Sequence, residues 1–221
     1  MKHKLISIEE AVDQVKDGAT IMVGGFLGVG SPNRIIDALV ERNVKNLTVI
    51  ANDTAFVDRS IGKLIANKQI KKIFTSHIGT NRETGRQMMA NETEVVLVPQ
   101  GTLAEQMRAA GYGLGGILTP TGVGTEVAEG KELLTVDGKD YLLEKPLKAD
   151  IALIYANKAD KSGNLRYHGS TQNYNNVMAA AADYVIVETD ELVEVGDIDP
   201  NSVHVPHIFI DAIVDGRQVD S

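Results

Sequence analysis

The stretch that decides the fold is IMVGGFLGVGSPNRI, residues 21–35. It reads as a short apolar strand, TIMV (20–23), that enters glycines 24, 25, 28 and 30 and restarts as a helix behind Ser31-Pro32. Serine as N-cap and proline at the first helical position form a natural helix start. Ile35, Ile36, Leu39 and Val40 then recur at helical spacing and supply a buried face. A glycine run between strand and helix sets backbone N–H groups at the carboxyl edge of a sheet, facing a helix N-terminus. Both features favour an anion, and the missing Cβ lets a ligand approach the main chain closely.

Upstream, Ser7 followed by Glu10 is a capping box, with Ile8, Ala11, Val12 and Val15 at helical spacing behind it. Downstream the alternation repeats. LTVIA (47–51), IKKIFTSH (70–77) and TEVVLVP (93–99) read as strands. Between and after them, DRSIGKLIANKQ (58–69), NRETGRQMMANE (81–92) and TLAEQMRAAG (102–111) read as helices. Strands alternating with helices at this spacing predict an α/β fold, an open, mostly parallel sheet with helices on both faces.

After residue 111 the texture changes. GYGLGGILTPTGVGT (111–125) is glycine-rich and too punctuated for a core element. LLTVDGKDYLLE (133–144) predicts an inserted β-hairpin with a type I′ turn at Asp137-Gly138. DIALIYAN and YVIVETD read as further strands, with a helix near NNVMAAAA between them. No linker or repeat interrupts the chain, so residues 1–221 are expected to form a single domain.

Composition narrows the functional classes. The 221 residues are 43% hydrophobic and 24% charged, which is ordinary globular usage. There is no cysteine, which removes disulfides, thiolate metal sites and cysteine nucleophiles and fits a reducing compartment. No segment is long enough to span a bilayer, and Glu9 and Glu10 stand where a signal peptide needs an apolar run. A cytoplasmic protein without membrane attachment is expected. The net charge of −8 argues against a nucleic-acid surface and against long-range steering of anions.

Three readings of the glycine loop remain. It can simply permit a tight turn and close helix packing. A P-loop is excluded, because no Gly-Lys-Ser/Thr follows. A dinucleotide fingerprint is closer, yet Gly25, Gly28 and Gly30 are spaced in the reverse sense, with Asn33 where the last glycine falls. Asp53 could still serve as its ribose-binding acid.

The third reading is a resemblance. From Asp17-Gly18 the chain runs two free positions, three apolar residues, Gly24-Gly25-Phe26, three more positions, Gly30, one position and Pro32. This resembles the signature of class I coenzyme A transferases, in their alpha subunit. IANDTAFVD (50–58), SHIGTN (76–81), VPQGTLAEQMRAAG (98–111), TPTGVGTEVAEGKE (119–132), LKADIALI (147–154) and VHVP (203–206) also resemble the alpha subunit of the acetate/butyrate–acetoacetate type. The likeness runs over essentially the whole chain. Departures are Asn173-Tyr174-Asn175-Asn176 in place of Asn-Phe-Asn-Pro, His207 in place of a glycine, and Tyr112 in a run of small residues. These bear on substrate preference.

The resemblance implies a ping-pong exchange of coenzyme A between two carboxylic acids. A glutamate attacks the acyl-CoA thioester, an acyl-glutamyl anhydride forms, and CoA thiolate returns to give a glutamyl-CoA thioester. The family's glutamate lies in a Ser-Glu-Asn-Gly loop that this chain lacks. The nucleophile is therefore expected on a partner, the beta subunit of the transferase, in an α2β2 heterotetramer, and this chain is expected to be inactive alone. By the same resemblance, Gly24, Gly25, Phe26, Leu27, Gly28, Val29 and Gly30 form part of the coenzyme A and oxyanion region. Asn52 and Gln100 are placed beside the reacting carboxylates, where neutral amides donate without neutralising a nucleophile. Coenzyme A enters as substrate; no tightly bound cofactor and no metal are expected.

Other signals carry less. Glu126, Glu129 and Glu132 read as a solvated face, and ETDELVEVGDIDP (188–200) as a solvated surface or subunit contact. His204 and His207 form an H-x-x-H pair, but a proline separates them and no third ligand is evident. His77 reads as a satisfied structural residue, and Met88-Met89 as core packing. Two competing functions stay open: a nucleotide or sugar-phosphate binding module without turnover, and an NAD-dependent oxidoreductase built on the glycine loop and Asp53.

Overall fold

A computed structural model describes residues 4–217. The chain enters through a short helix, α1 (Ile8–Gln14), whose capping box is formed as expected: Ser7 Oγ accepts from Glu10 N, and Glu10 accepts from Ser7 N. Four strand–helix units follow. They are β1 (Thr20–Val23) with α2 (Asn33–Arg42), β2 (Leu47–Asp53) with α3 (Ile61–Ala66), β3 (Ile70–His77) with α4 (Arg82–Met89), and β4 (Glu94–Leu97) with α5 (Gln100–Gly111). Next come β5 (Ile117–Thr119), β6 (Glu132–Val136) and β7 (Lys139–Glu144). The chain then returns through β8 (Ala149–Asp160), β9 (Leu165–Arg166), α6 (Asn175–Met178), β10 (Ala182–Val193) and β11 (Ala212–Asp215).

The main sheet has the order β11-β10-β8-β1-β2-β3-β4, all parallel, with β9 antiparallel to β8. From β1 the chain steps outward through β2, β3 and β4, then comes back to lay β8 on the other flank of β1. Val23 consequently pairs with Ala51 on one side and Leu153 on the other. Strand order reverses there, and in open α/β sheets ligands bind in the crevice beyond the carboxyl ends of strands at such a point. The glycine loop leaves the sheet at this crevice.

Side chains alternate across β1 and β2. Ile21, Val23, Val49 and Ala51 join one core with α1, α2 and α3; Met22 and Ile50 join another with α5 and α6. α4 packs behind α3, with Gln87 Nε2 donating to the Ile65 carbonyl. Each fully buried Ile, Leu or Met contributes about 1.5–3 kcal/mol relative to exposure, and both faces of these strands collect it.

The hairpin forms where expected. Asp137 (φ 51°) and Gly138 (φ 76°) both lie in the left-handed region, as a type I′ turn requires. It is not a lone hairpin. β5, from a stretch expected to be irregular, pairs with β7 to complete a three-stranded antiparallel sheet. That sheet is tied to α5 by buried Glu144, which accepts from Gln106 Nε2 at 3.0 Å and from Lys131 Nζ at 2.6 Å.

Several local expectations fail for tertiary reasons. Ser31 does not cap α2; the cap position is Pro32, without a side-chain bond, and Ser31 is buried. The helix near residue 175 is a single turn, because the chain must re-enter the sheet at Ala182. Met88 and Met89 are not core residues: Met89 is 83% exposed, since α4 turns Thr84 and Gln87 inward instead. Glu188 and Thr189, read as surface, are buried along β10. No helix among the described residues is long and apolar enough to cross a membrane.

Candidate active site

Four parallel strands deliver residues to one edge of the sheet: Gly24–Gly30 beyond β1, Asn52 and Asp53 at the end of β2, Ser76 and His77 at the end of β3, and Gln100 beyond β4. Adjacent residues at the end of β2 point to opposite faces. Asn52 therefore meets the α5 side, and Asp53 meets the glycine loop.

The loop is a tight turn held from within. Phe26 N donates to the Val29 carbonyl at 3.0 Å, and Val29 N returns to Phe26 at 2.9 Å. Leu27 (φ 52°) and Gly28 (φ 85°) form its left-handed tip. Leu27 N donates to both carboxylate oxygens of Asp53, at 3.2 and 3.1 Å, and Ala55 N adds a bond of 2.9 Å. Gly24 N donates to the Leu153 carbonyl, stitching the loop to β8. Four of the seven loop amides are thus spent inside the chain. The amides of Gly25, Gly28 and Gly30 have no acceptor among the described residues.

Buried Asn175 fixes the base of the loop. Its Oδ1 accepts from Tyr155 N at 3.0 Å, and its Nδ2 donates to the carbonyls of Gly30 (2.9 Å) and Thr171 (2.8 Å). One side chain joins the glycine loop, β8 and the segment before α6.

Two sequence-level expectations change here. The N-terminus of α2, where a phosphate would sit in a nucleotide fold, is already occupied. Glu188 reaches across from β10 and accepts from Ile35 N at 3.0 Å and Arg34 N at 3.3 Å. Burial pushes its carboxyl above the usual range, against the pull of those two amides and of Arg34. Asp53 is likewise shifted up by burial, opposed by the Leu27 and Ala55 amides and by His77. With Asp53 holding Leu27 and Glu188 closing α2, neither a ribose acid nor a helix-end phosphate site is left for a dinucleotide. The helix has found its anion within the chain.

Asn52 and Gln100 are brought into direct contact. Gln100 Nε2 donates to Asn52 Oδ1 at 3.0 Å, and Ser76 Oγ donates to the same oxygen at 2.9 Å and to the Asn52 carbonyl at 2.7 Å. Asn52 Nδ2 donates to Asn173 Oδ1 at 3.1 Å. Asn52 is 2% exposed, whereas Gln100, at the first turn of α5, is exposed. Asn52 thus orients the exposed Gln100 side chain. Tyr174 Oη donates to the Gln100 carbonyl at 2.5 Å, bracing the start of α5 from the other side.

Sequence reasoning does not find Ser76, Asn173, Tyr174 or Asn175 as site residues. The one signal is that Asn173–Asn176 break a family-like pattern, and only the fold shows that these side chains brace the site. His77 is not a satisfied structural residue: it stands exposed, its ring 6.5 Å from that of Phe26. His204 packs locally, accepting the Tyr167 amide on Nδ1 at 2.9 Å and stacking on the Tyr167 ring.

Comparison with known proteins agrees with this architecture. Residues 5–216 match the family model described as coenzyme A transferase. The chain is 56% identical over 214 residues to the acetate CoA-transferase subunit alpha of Escherichia coli K12, covering 97% of each. It is 49% identical to the acetoacetyl-CoA:acetate/butyrate CoA transferase alpha subunit of Clostridium acetobutylicum, covering 97% of this chain and 98% of the relative. Among solved structures, an acyl-CoA transferase from Escherichia coli O157:H7, in a thioester complex with CoA, superposes with a TM-score of 0.87 at 26% identity. This chain spans 98% of its own length in that match and about half, 48%, of the other chain. Glutaconate coenzyme A-transferase from Acidaminococcus fermentans shares the fold, with a TM-score of 0.84 at 22% identity, covering 96% of this chain and 75% of that one.

Proposed function

The chain belongs to the coenzyme A transferase family, and from that premise we propose that it is the alpha subunit of an enzyme that moves coenzyme A between a short-chain acyl-CoA and a free carboxylic acid. The acyl groups are acetyl, butyryl and acetoacetyl, in line with the names of the relatives at 56% and 49% identity. The exchange is ping-pong through a glutamyl-CoA thioester carried by a beta subunit, in a cytoplasmic α2β2 assembly.

The observation that carries the site assignment is the pairing of two neutral donor sets at one crevice. Three glycine amides have no acceptor among the described residues, and the exposed Gln100 amide is held by Asn52. Each attack on a thioester or anhydride carbonyl creates an oxyanion, and a preorganised donor aimed at it is worth roughly 3–4 kcal/mol. Gly25 and Gly30 are buried, so the half-buried Gly28 amide is the one most open to that charge. Gln100 is suited to orienting a carboxylate without protonating it. Asn52 acts through Gln100 as a positioning residue.

The test is co-expression with a candidate beta chain and an assay of CoA transfer from acetyl-CoA to acetoacetate and butyrate. Transfer by the pair and none by this chain alone is expected. Turnover by the isolated polypeptide, or a covalent adduct on it, would overturn the division of labour.

A further inference from the structure

The three-stranded sheet breaks the alternation of a sheet packed on one side only. β6 reads ELLTV and β7 reads KDYLLE, with adjacent apolar residues where a one-sided antiparallel strand alternates apolar and polar. Register sorts the side chains. Leu142 and Glu144 are buried on one face, Glu144 against α5 through Gln106. On the other face Leu118 lies opposite Leu143, Leu134 lies opposite Tyr141, and Val136 follows two residues after Leu134. Leu118 and Val136 are each 43% exposed, and Leu134, Tyr141 and Leu143 are half-buried. None of the five packs against either core of the molecule. Large apolar side chains gathered on one open face mark an interaction surface.

Within the strands this face carries two charges, one at each end. Glu132 lies opposite Leu143, and Lys139 lies opposite Val136, four residues or about 13 Å further along. Neither forms an ion pair among the described residues; Lys139 Nζ rests 5.4 Å from the centre of the Tyr141 ring. Asp140 points to the opposite face, where it accepts from Thr135 Oγ1 at 2.7 Å. A two-fold interface sets one surface against itself, so that surface must be its own complement. An axis across the strands at the level of Leu134 and Tyr141 interchanges the two ends. Glu132 of each copy then meets Lys139 of the other, with the apolar strip shared between them. Packed sheets lie about 10 Å apart, a gap that a facing glutamate and lysine span.

We propose that two copies of this chain meet through this face, sheet on sheet, with Glu132 of each against Lys139 of the other. The contact goes beyond the coenzyme A transferase reading and rests on it only for the presence of two such chains in one assembly, whose halves it joins. Three strands of up to five residues give a face of about 14 by 17 Å, below the roughly 800 Å² that each partner of a standard interface buries. The chain alone is therefore expected to dimerise reversibly.

Sedimentation velocity of the purified chain over a range of concentrations reads the contact, and the same variants are followed in the assembly with the beta subunit. Wild type is expected to pass from monomer to dimer as concentration rises. Lys139→Glu and Glu132→Lys each make two attractive pairs per dimer repulsive and are expected to weaken dimerisation about tenfold. The double variant, Glu132→Lys with Lys139→Glu, restores opposite charges and is expected to recover to within about threefold of wild type. Val136→Asp sets a charge in the apolar strip at a side chain already part exposed, so it is expected to fold and stay monomeric. In the assembly it is expected to give a single pair of one alpha and one beta chain, with transfer per pair unchanged. A wild-type chain that stays monomeric, single variants that dimerise as wild type does, or a double variant no better than the single ones would overturn the proposal. So would loss of beta-subunit binding in Val136→Asp, which would assign the face to that chain. A wild-type assembly that transfers no CoA while the charge swap behaves as expected would instead overturn the reaction and leave the face standing.

Discussion

At Gly24 a Cβ would stand 1.8 Å from Asn175 Oδ1, so the glycine is required by a close approach. Asn175 in turn is fully buried with three hydrogen bonds to three different segments. Asn175→Ala strands the Tyr155 amide and the Gly30 and Thr171 carbonyls. Each orphan costs about 1–3 kcal/mol, so a loss of at least ~3 kcal/mol is expected in urea unfolding of the assembled enzyme. A loss under ~1 kcal/mol would mean the loop is held by other means. Gln100 gives the complementary case: exposed, it does little for stability. Gln100→Ala is expected to lower kcat roughly 100-fold at unchanged stability. Gln100→Glu, which sets a negative charge against the attacking carboxylate, should fall further. Turnover of Gln100→Ala within twofold of wild type removes the role assigned to it.

Helix α2 shows what an element owes to its surroundings. Its own residues offer no side-chain cap, and the capping acid comes from β10, 153 residues away from Ile35. Glu188→Ala should cost about 1–3 kcal/mol by orphaning two amides at the positive end of the helix. Glu188→Gln keeps an acceptor and should cost less. Its pH dependence has a definite sign. The carboxyl is raised by burial, so its stabilisation is complete below the ordinary glutamate value and is lost as pH climbs through the raised one. The stability of Glu188→Gln relative to wild type is therefore expected to rise as pH climbs above the ordinary glutamate value. A gap that stays flat or falls in denaturation curves across that range would show that the helix amides outweigh burial.

For the whole molecule, strand reversal at β1 gathers donors from four loops into one crevice, yet no carboxylate in the described residues is poised there as a free nucleophile. Asp53 and Glu188, the buried acids nearest the loop, are both bound to backbone amides. The purified chain is expected to show no CoA transfer. Mixed with its beta partner, it should elute as a larger species and gain activity in the same fractions. Activity that appears without co-elution would break the link between assembly and the completed site.

Much of this was legible in the chain itself. Glycine, proline and capping residues act locally, and period-2 and period-3.6 patterns report which face is buried. The Ser7–Glu10 box, the Asp137-Gly138 turn and the strand–glycine–helix unit at residues 20–42 therefore stand where expected. Asn52 and Gln100 came from the family resemblance; their direct bond, across 48 positions, came from the fold. Long-range polar pairing has no sequence period. The plugging of α2 by Glu188, the seat of Asn175 on Gly24 and the sparing of three loop amides out of seven could be decided only when distant segments met. Hydrogen bonds depend on position and direction to within fractions of an ångström, and tertiary packing alone supplies these.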